Sequence, residues 1–228
     1  MKFDGITSST DTEVSVPKGY GKIEYAYHLM AVEAGIEMTP CRLHHEGDRS
    51  HFMTRRFDRT AHGGKLHLQS LGAIAHYDYR QPASYSYEQA IQVIRRLGLP
   101  RRDMDQQVLR AIFNVVGRNC DDHVKNIAFL MNRRGEWRLS PAFDITYAWN
   151  PSGEWTSRHQ MSMNGKRDGF EREDLLALAK AAEIKKARAE QMIQRVIEIV
   201  RHWPDFAEKA GVDAEQVKKV QTGHRTSI

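Results

Sequence analysis

Between residues 103 and 131 the sequence changes character twice, and that succession constrains the fold more than anything else in it. Val108, Leu109, Ile112, Phe113, Val115 and Val116 recur at helical spacing. They predict a helix with a wide apolar stripe, capped by Asp103 and running to about Gly117. Asn119 to Asn126 is then almost wholly polar. Ile127 to Met131 is apolar again and pairs naturally with Glu136 to Ser140 as a hairpin around Asn132-Arg133-Arg134-Gly135. A core helix thus delivers a charged segment to the mouth of the core, and a strand leaves from it. Burying so many polar side chains without partners is costly, so the segment needs ligands, water or each other.

The flanking sequence has the same texture. Ile23, Tyr27, Met30, Ala31 and Ala34 predict a helix from about Lys22 to Ala34, stopped by Gly35. Residues 41–59 read as a hairpin turning at Glu46-Gly47-Asp48-Arg49, and Lys2-Phe3 reads as the close of a strand. Residues 5–19 are polar turn formers without a period, and 59–84 read as irregular. Ser86 with Gln89 forms a capping box for a helix carrying Ala90, Ile91, Ile94 and Leu97, ended by Gly98-Leu99-Pro100. Helices are predicted at about 171–182, 185–202 and 213–221. Strands are few and come as hairpins, so a parallel doubly wound sheet is disfavoured and the class is α+β with a helix-rich C-terminal half.

Composition narrows the setting. With 40% hydrophobic and 28% charged residues, a packed core is expected over disorder. No apolar run reaches the length of a membrane span, and the start, MKFDGITSS, has no apolar signal region. Cys41 and Cys120 provide neither a disulfide framework nor zinc-ligand spacing, which fits a reducing cytoplasm. The net charge of +5 is spread along the chain and favours anionic partners only mildly. Direct DNA binding would rest on that charge alone.

The chemistry concentrates in Asp121, Asn126 and Asp144. The predicted hairpin sets the strand after Asn126 beside the strand before Pro141-Ala142-Phe143-Asp144-Ile145. The three residues can therefore converge. In phosphoryl transfer an aspartate orients the attacking hydroxyl, while an amide five residues later and a carboxylate beyond the next strand hold Mg²⁺ against the phosphates. The blander reading makes Asp121 and Asp122 ordinary turn formers. It makes Arg55, Arg56, Asp58 and Arg59 an ion-pair cluster, His123 a structural histidine, and the four tryptophans packing residues.

Arg-Arg-Phe-Asp-Arg at 55–59, Asp-Asp-His-Val-Lys-Asn at 121–126 and Leu-Ser-Pro-Ala-Phe-Asp-Ile at 139–145 together resemble the HipA-like serine/threonine kinases. These are bacterial toxins of toxin–antitoxin pairs. Glu24-Tyr25 followed by Ala34-Gly35-Ile36 fits as well. The resemblance implies a bilobal, kinase-like α+β fold, with residues 1–58 as a remnant of the N-terminal nucleotide-binding lobe and 59–228 as the helical catalytic lobe. By motif, Asp121 is the catalytic base, and His123 and Lys125 shape the catalytic loop. Asn126 and Asp144 ligate Mg²⁺. Lys2 pairs with ATP phosphates, with Glu24 as its helix partner. Arg55, Arg56 and Phe57 occupy the hinge that receives adenine.

The resemblance also implies a small DNA-binding antitoxin as partner and a translation-related protein substrate such as an aminoacyl-tRNA synthetase. Relatives carry a Gly-rich phosphate loop ahead of the strand lysine, Glu where this chain has Arg55, and Thr where it has Cys120. The expectation is an N-terminally truncated relative of weak activity, or one completed by a separate polypeptide. Two other readings compete with the protein kinase: a catalytically inactive lobe that binds a partner protein, and a phosphotransferase acting on a small molecule.

Overall fold

The computed structural model describes residues 1–5 and 18–228. The polar stretch expected over 5–19 therefore lies mostly outside the described residues. Helix α1 (Tyr20–Ala34) ends at Gly35, whose φ of 94° suits a residue without Cβ. Strands β1 (Cys41–Glu46) and β2 (Arg49–Thr54) follow as an antiparallel hairpin turning at Gly47-Asp48, with Cys41 opposite Thr54 and Glu46 opposite Arg49. Lys2 exchanges backbone hydrogen bonds with Phe52 at 2.8 and 3.1 Å, so the Lys2-Phe3 segment adds an extended edge to β2.

Helix α1 lies very close to this hairpin. A Cβ on Gly21 would stand 2.4 Å from the Ser50 carbonyl oxygen. Gly21→Ala is expected to cost about 1–3 kcal/mol by overpacking. Denaturant unfolding checks this, and an unchanged midpoint would show that the two elements separate freely.

The stretch from 59 to 84 corrects the reading of an irregular segment. It contains β3 (His67–Ser70) and the short helix α2 (Leu71–Ala75), which Ser70 caps by accepting the Ala73 N–H. β3 pairs antiparallel with β4 (Ala128–Met131), which pairs with β5 (Trp137–Leu139), giving the order β3-β4-β5. The strand escapes a sequence reading because it has four residues and no buried face to create alternation.

Helix α3 (Tyr87–Arg96) carries the Ser86–Gln89 capping box as expected. Helix α4 (Arg101–Val116) starts behind Pro100, not at an Asp103 cap. Asp103 accepts the Leu139 N–H at 2.9 Å, and the buried Arg110 donates to the Ser140 carbonyl at 2.8 Å. Both bonds fix β5 against α4. Burial presses the Arg110 guanidinium down to about 10.

The C-terminal half contains α5 (Arg172–Ala181), α6 (Lys186–Arg201), α7 (Trp203–Ala210) and α8 (Ala214–Gly223). Helix α7 was not anticipated. It is eight residues long with a proline in its first turn, and it forms around Trp203, which is fully buried and donates Nε1–H to the Val217 carbonyl. α1 packs on β2 on one side and on α6 and α7 on the other, so one continuous core reaches from α1 to α8. Trp155 is 50% exposed and does not serve as packing. No helix among the described residues is long and apolar enough to cross a membrane.

Candidate active site

α4 ends at Gly117, and Arg118 to Asn126 cross to β4. The loop is held by backbone bonds from Asn119 N–H to Asn114 O, from Cys120 N–H to Ala148 O, and from Asn126 N–H to His123 O. Beyond β5, Ala142 N–H bonds to the Glu37 carbonyl at 2.7 Å, and Met38 bridges Ala142. Asp144 is thereby set against the segment joining α1 to β1. Its φ of 53° is in the left-handed region, an uncommon conformation for a side-chain-bearing residue and frequent at functional sites.

Lys2, Asp121, His123, Lys125, Asn126 and Asp144 line one open cleft of about 370 Å³. Lys2 Nζ stands 2.7 Å from Glu24 Oε1 and 2.6 Å from Asp144 Oδ1. Lys2 is half exposed, whereas Glu24 is buried. Burial works against the Lys2 charge, but Glu24 and Asp144 outweigh it and raise the ammonium above its usual value. Burial also raises the Glu24 carboxyl, with Lys2 opposing. For Asp121, burial raises the carboxyl; Asp122 and Asp144 add to the rise, while His123 and Lys2 oppose it. An aspartate made more basic in this way is a better proton acceptor.

Asn126 Nδ2 donates to the Asp121 carbonyl at 2.9 Å, which closes the second half of the loop, and among the described residues Oδ1 meets no hydrogen-bond donor. Asp144 Oδ1 meets Lys2, and Oδ2 completes a pair of hard oxygen atoms suited to Mg²⁺. Among the described residues no three His, Cys, Asp or Glu side chains surround a common point. A magnesium ion held here would take its remaining ligands from water and phosphate, as Mg²⁺ at nucleotide sites usually does. His123 Nε2 is 3.7 Å from Asp121 Oδ1, and Lys125 Nζ sits 3.3 Å above the Tyr79 ring.

The residues expected at a hinge are divided. Arg55 borders a separate depression of about 280 Å³ between Pro40, Cys41, Met53 and Thr54, and its N–H and C=O bond to Pro40 O and Thr39 Oγ1. Arg56 grips Asp58 with two bonds at 2.8 and 2.6 Å, joined by Arg59. Those bonds from Arg56 hold the Asp58 carboxyl at about 2 against the rise from burial. Phe57 packs on Phe143, one residue from Asp144, with centroids 5.5 Å apart.

Asp122, an ordinary turn former in the blander reading of the sequence, anchors the loop. It is buried and accepts from the Tyr87 hydroxyl at 2.7 Å and the Gln160 N–H at 2.7 Å, with His159 Nδ1 at 2.8 Å. Tyr87 also accepts from Asn114, whose Oδ1 accepts from Asn119. Burial alone would push His159 down, yet the Asp122 carboxylate lifts it to about 10. Burial would likewise raise Asp122, but His159, Tyr87 and the Gln160 N–H hold it below its usual value. The alternation of buried Asp122 with cleft-facing Asp121 is the local signal; its partners lie 35 to 38 residues away.

Comparison with known proteins bears on the family and the fold. Residues 1–203 match the family model of the HipA-like C-terminal domain. A protein of Sinorhizobium fredii named "Putative kinase Y4mE" is 25% identical over 125 residues, 51% of this chain and 30% of that protein. The solved complex of the Shewanella oneidensis MR-1 toxin–antitoxin system, HipA with HipB and operator DNA, contains a chain of similar fold. The TM-score is 0.72 at 14% identity, covering 97% of this chain and 61% of that one. The chain thus spans about a third of the curated relative and three fifths of the solved chain. With the match extending over most of its length and its α+β fold shared with a solved HipA system, this chain belongs to the family of HipA-like C-terminal domains.

Proposed function

We propose that this chain is the catalytic region of a serine/threonine protein kinase that transfers the γ-phosphate of ATP to a protein hydroxyl. The observation that carries the reading is the meeting of Asp121, Asn126, Asp144 and the Lys2–Glu24 pair in one cleft. Asp121 accepts the proton of the attacking hydroxyl, helped by surroundings that raise its carboxyl. Glu24 holds Lys2 over the cleft, where its ammonium meets phosphate oxygens. Asn126 and Asp144 would hold Mg²⁺, which supplies charge neutralisation to the transferring phosphate. The loop bond from Asn126 to the Asp121 carbonyl keeps the base and the metal-side amide in register. Residues 1–58 bear the Lys2–Glu24 pair and 59–228 the loop, which suits an active site at the junction of two lobes.

Family membership and a solved relative complexed with HipB and operator DNA support a toxin role with a small antitoxin as partner. A translation-related substrate is the corresponding target class, and the cytoplasm the corresponding place. The Lys2–Asp144 contact of 2.6 Å favours a second reading, a lobe that binds a partner protein without turnover, because it engages the ammonium that would otherwise meet phosphate and one of the two Asp144 oxygens.

Calorimetric titration of ATP with and without Mg²⁺ separates the two. Binding in the micromolar range that depends on Mg²⁺ is expected; absence of binding would sink the kinase reading and leave the protein-binding lobe. Transfer to a small-molecule hydroxyl or amine, and not to protein, would replace the substrate class.

A further inference from the structure

The loop bearing Asp121 leaves α4 through Gly117 and Arg118, and Arg118 has a φ of 59°, a strained conformation for a residue with a side chain. The Ala148 N–H donates to the Arg118 carbonyl at 3.1 Å, and further contacts that hold this exit involve the segment beyond α8. The Arg225 N–H donates to the Val116 carbonyl at 2.9 Å, satisfying one of the last carbonyls of α4. The Arg225 guanidinium and Arg118 Nη1 converge on Asp168. The Tyr27 hydroxyl donates its single proton to the Gly117 carbonyl at 2.5 Å. Its oxygen must then accept from His224 Nε2, 2.8 Å away, which places the imidazole proton on Nε2.

The His224 ring is enclosed by Tyr27, Tyr147 and Trp203, at centroid distances of 6.1, 6.3 and 5.7 Å. Burial depresses its basicity to about 3, so the ring is neutral, in keeping with that tautomer. Gly223 leaves no space for a Cβ, which would meet the Tyr147 hydroxyl. Tyr147 itself lies three residues after Asp144. The family match covers 1–203, so the segment making these contacts lies outside it.

We propose that Gly223–Arg225 is a positioning element of the Asp121 loop: His224 acts through Tyr27 on Gly117, and Arg225 acts through Val116 and Asp168 on Arg118. Two ends of one strained exit are pinned by one short segment. A displacement of the loop by about 1 Å is enough to cost on the order of a hundredfold in a positioned reaction. The effect on turnover rests on the kinase reading above, whereas the effect on loop order does not.

The test compares His224→Leu, which keeps bulk and removes the donor, with His224→Gln, whose amide places an N–H near the position of Nε2. Hydrogen exchange of the full chain reads the Asn119 and Cys120 amides, with α6 as internal reference. In His224→Leu these loop amides are expected to exchange about tenfold faster, the scale of one lost hydrogen bond, with α6 unchanged. ATP turnover should fall about tenfold in kcat with little change in KM, as expected when orientation and not binding is lost. His224→Gln should recover most of both effects.

Loop exchange equal to wild type in His224→Leu would overturn the proposal. If that variant loses protection throughout, Arg225→Met, at a partly exposed position, decides. Faster exchange confined to the loop supports the positioning role, and unchanged exchange refutes it. A faster loop with no ATP turnover in any form, wild type included, would uphold the positioning element and remove the kinase reading.

Discussion

Asp122→Ala is expected to destabilise the chain by about 3–5 kcal/mol, the usual cost of removing one partner of a buried ion pair. For a chain of this size that is a fall in Tm of roughly 6–20 °C. The magnitude follows from what is left behind. His159 would remain fully buried with the carboxylate that raises it to about 10 removed, and the Tyr87 hydroxyl and the Gln160 N–H would lose their acceptor. The imidazole would then become neutral, and part of the loss would take that form. Asp122→Leu combined with His159→Leu should recover much of the stability, because replacing both partners removes the unpaired charge.

The pH dependence has a definite sign. His159 is raised in the folded state from 6.5 to about 10, so its contribution is complete below about 6.5 and is lost as pH climbs towards 10. Asp122 is lowered from 3.8, so its contribution is complete above about 4 and is lost on further acidification. Wild type should therefore lose stability between pH 6.5 and 10 more steeply than Asp122→Ala. Urea unfolding across that range measures both; a variant within 1 kcal/mol of wild type at pH 6 would show that the buried pair is not an anchor.

The second large effect separates two carboxylates of one cleft. Asp121→Asn is expected to reduce kcat by about 10²–10⁴, the contribution of a positioned general base, while leaving Mg²⁺-dependent ATP binding within a few-fold. Asp144→Asn should instead abolish the Mg²⁺ dependence of binding. The geometry gives the reason. Asp121 offers a carboxylate whose basicity is raised, with its main-chain carbonyl tied to Asn126. Asp144 stands with one oxygen at Lys2 and the other available to a cation. Paired titrations and single-turnover assays on the two variants decide, and an equal loss of nucleotide binding in both would break this division of labour.

The convergence on the cleft was legible because it is encoded locally. The stripe from Val108 to Val116 built α4, the 127–140 pattern built the β4–β5 hairpin, and together they carry Asp121, Asn126 and Asp144 to one place. Lys2 and Glu24 are 22 residues apart and carry no shared pattern, so their pairing was visible only through family resemblance. What escaped is encoded at a distance. β3 exists because β4 offers it hydrogen bonds, not because His67 to Ser70 repeat in any way. Asp103 looks like a cap in isolation, but α4 opens two residues earlier and turns that carboxylate towards Leu139. The role of Asp122 depends on Tyr87 and His159, which no local window contains.

The polar segment between α4 and β4 is braced from nearly every part of the chain: Tyr27 and Tyr87 before it, and His159, Asp168 and Arg225 after it. Such contacts can close only after long intervening stretches have been threaded into place, and closing large loops is what slows folding. A growing polypeptide on the ribosome can form α1 and the first hairpin early, since domains build from the N-terminal side as synthesis proceeds. The reactive segment, by contrast, waits for Arg225 to emerge. The cleft is therefore completed well after the residues that line it have been made.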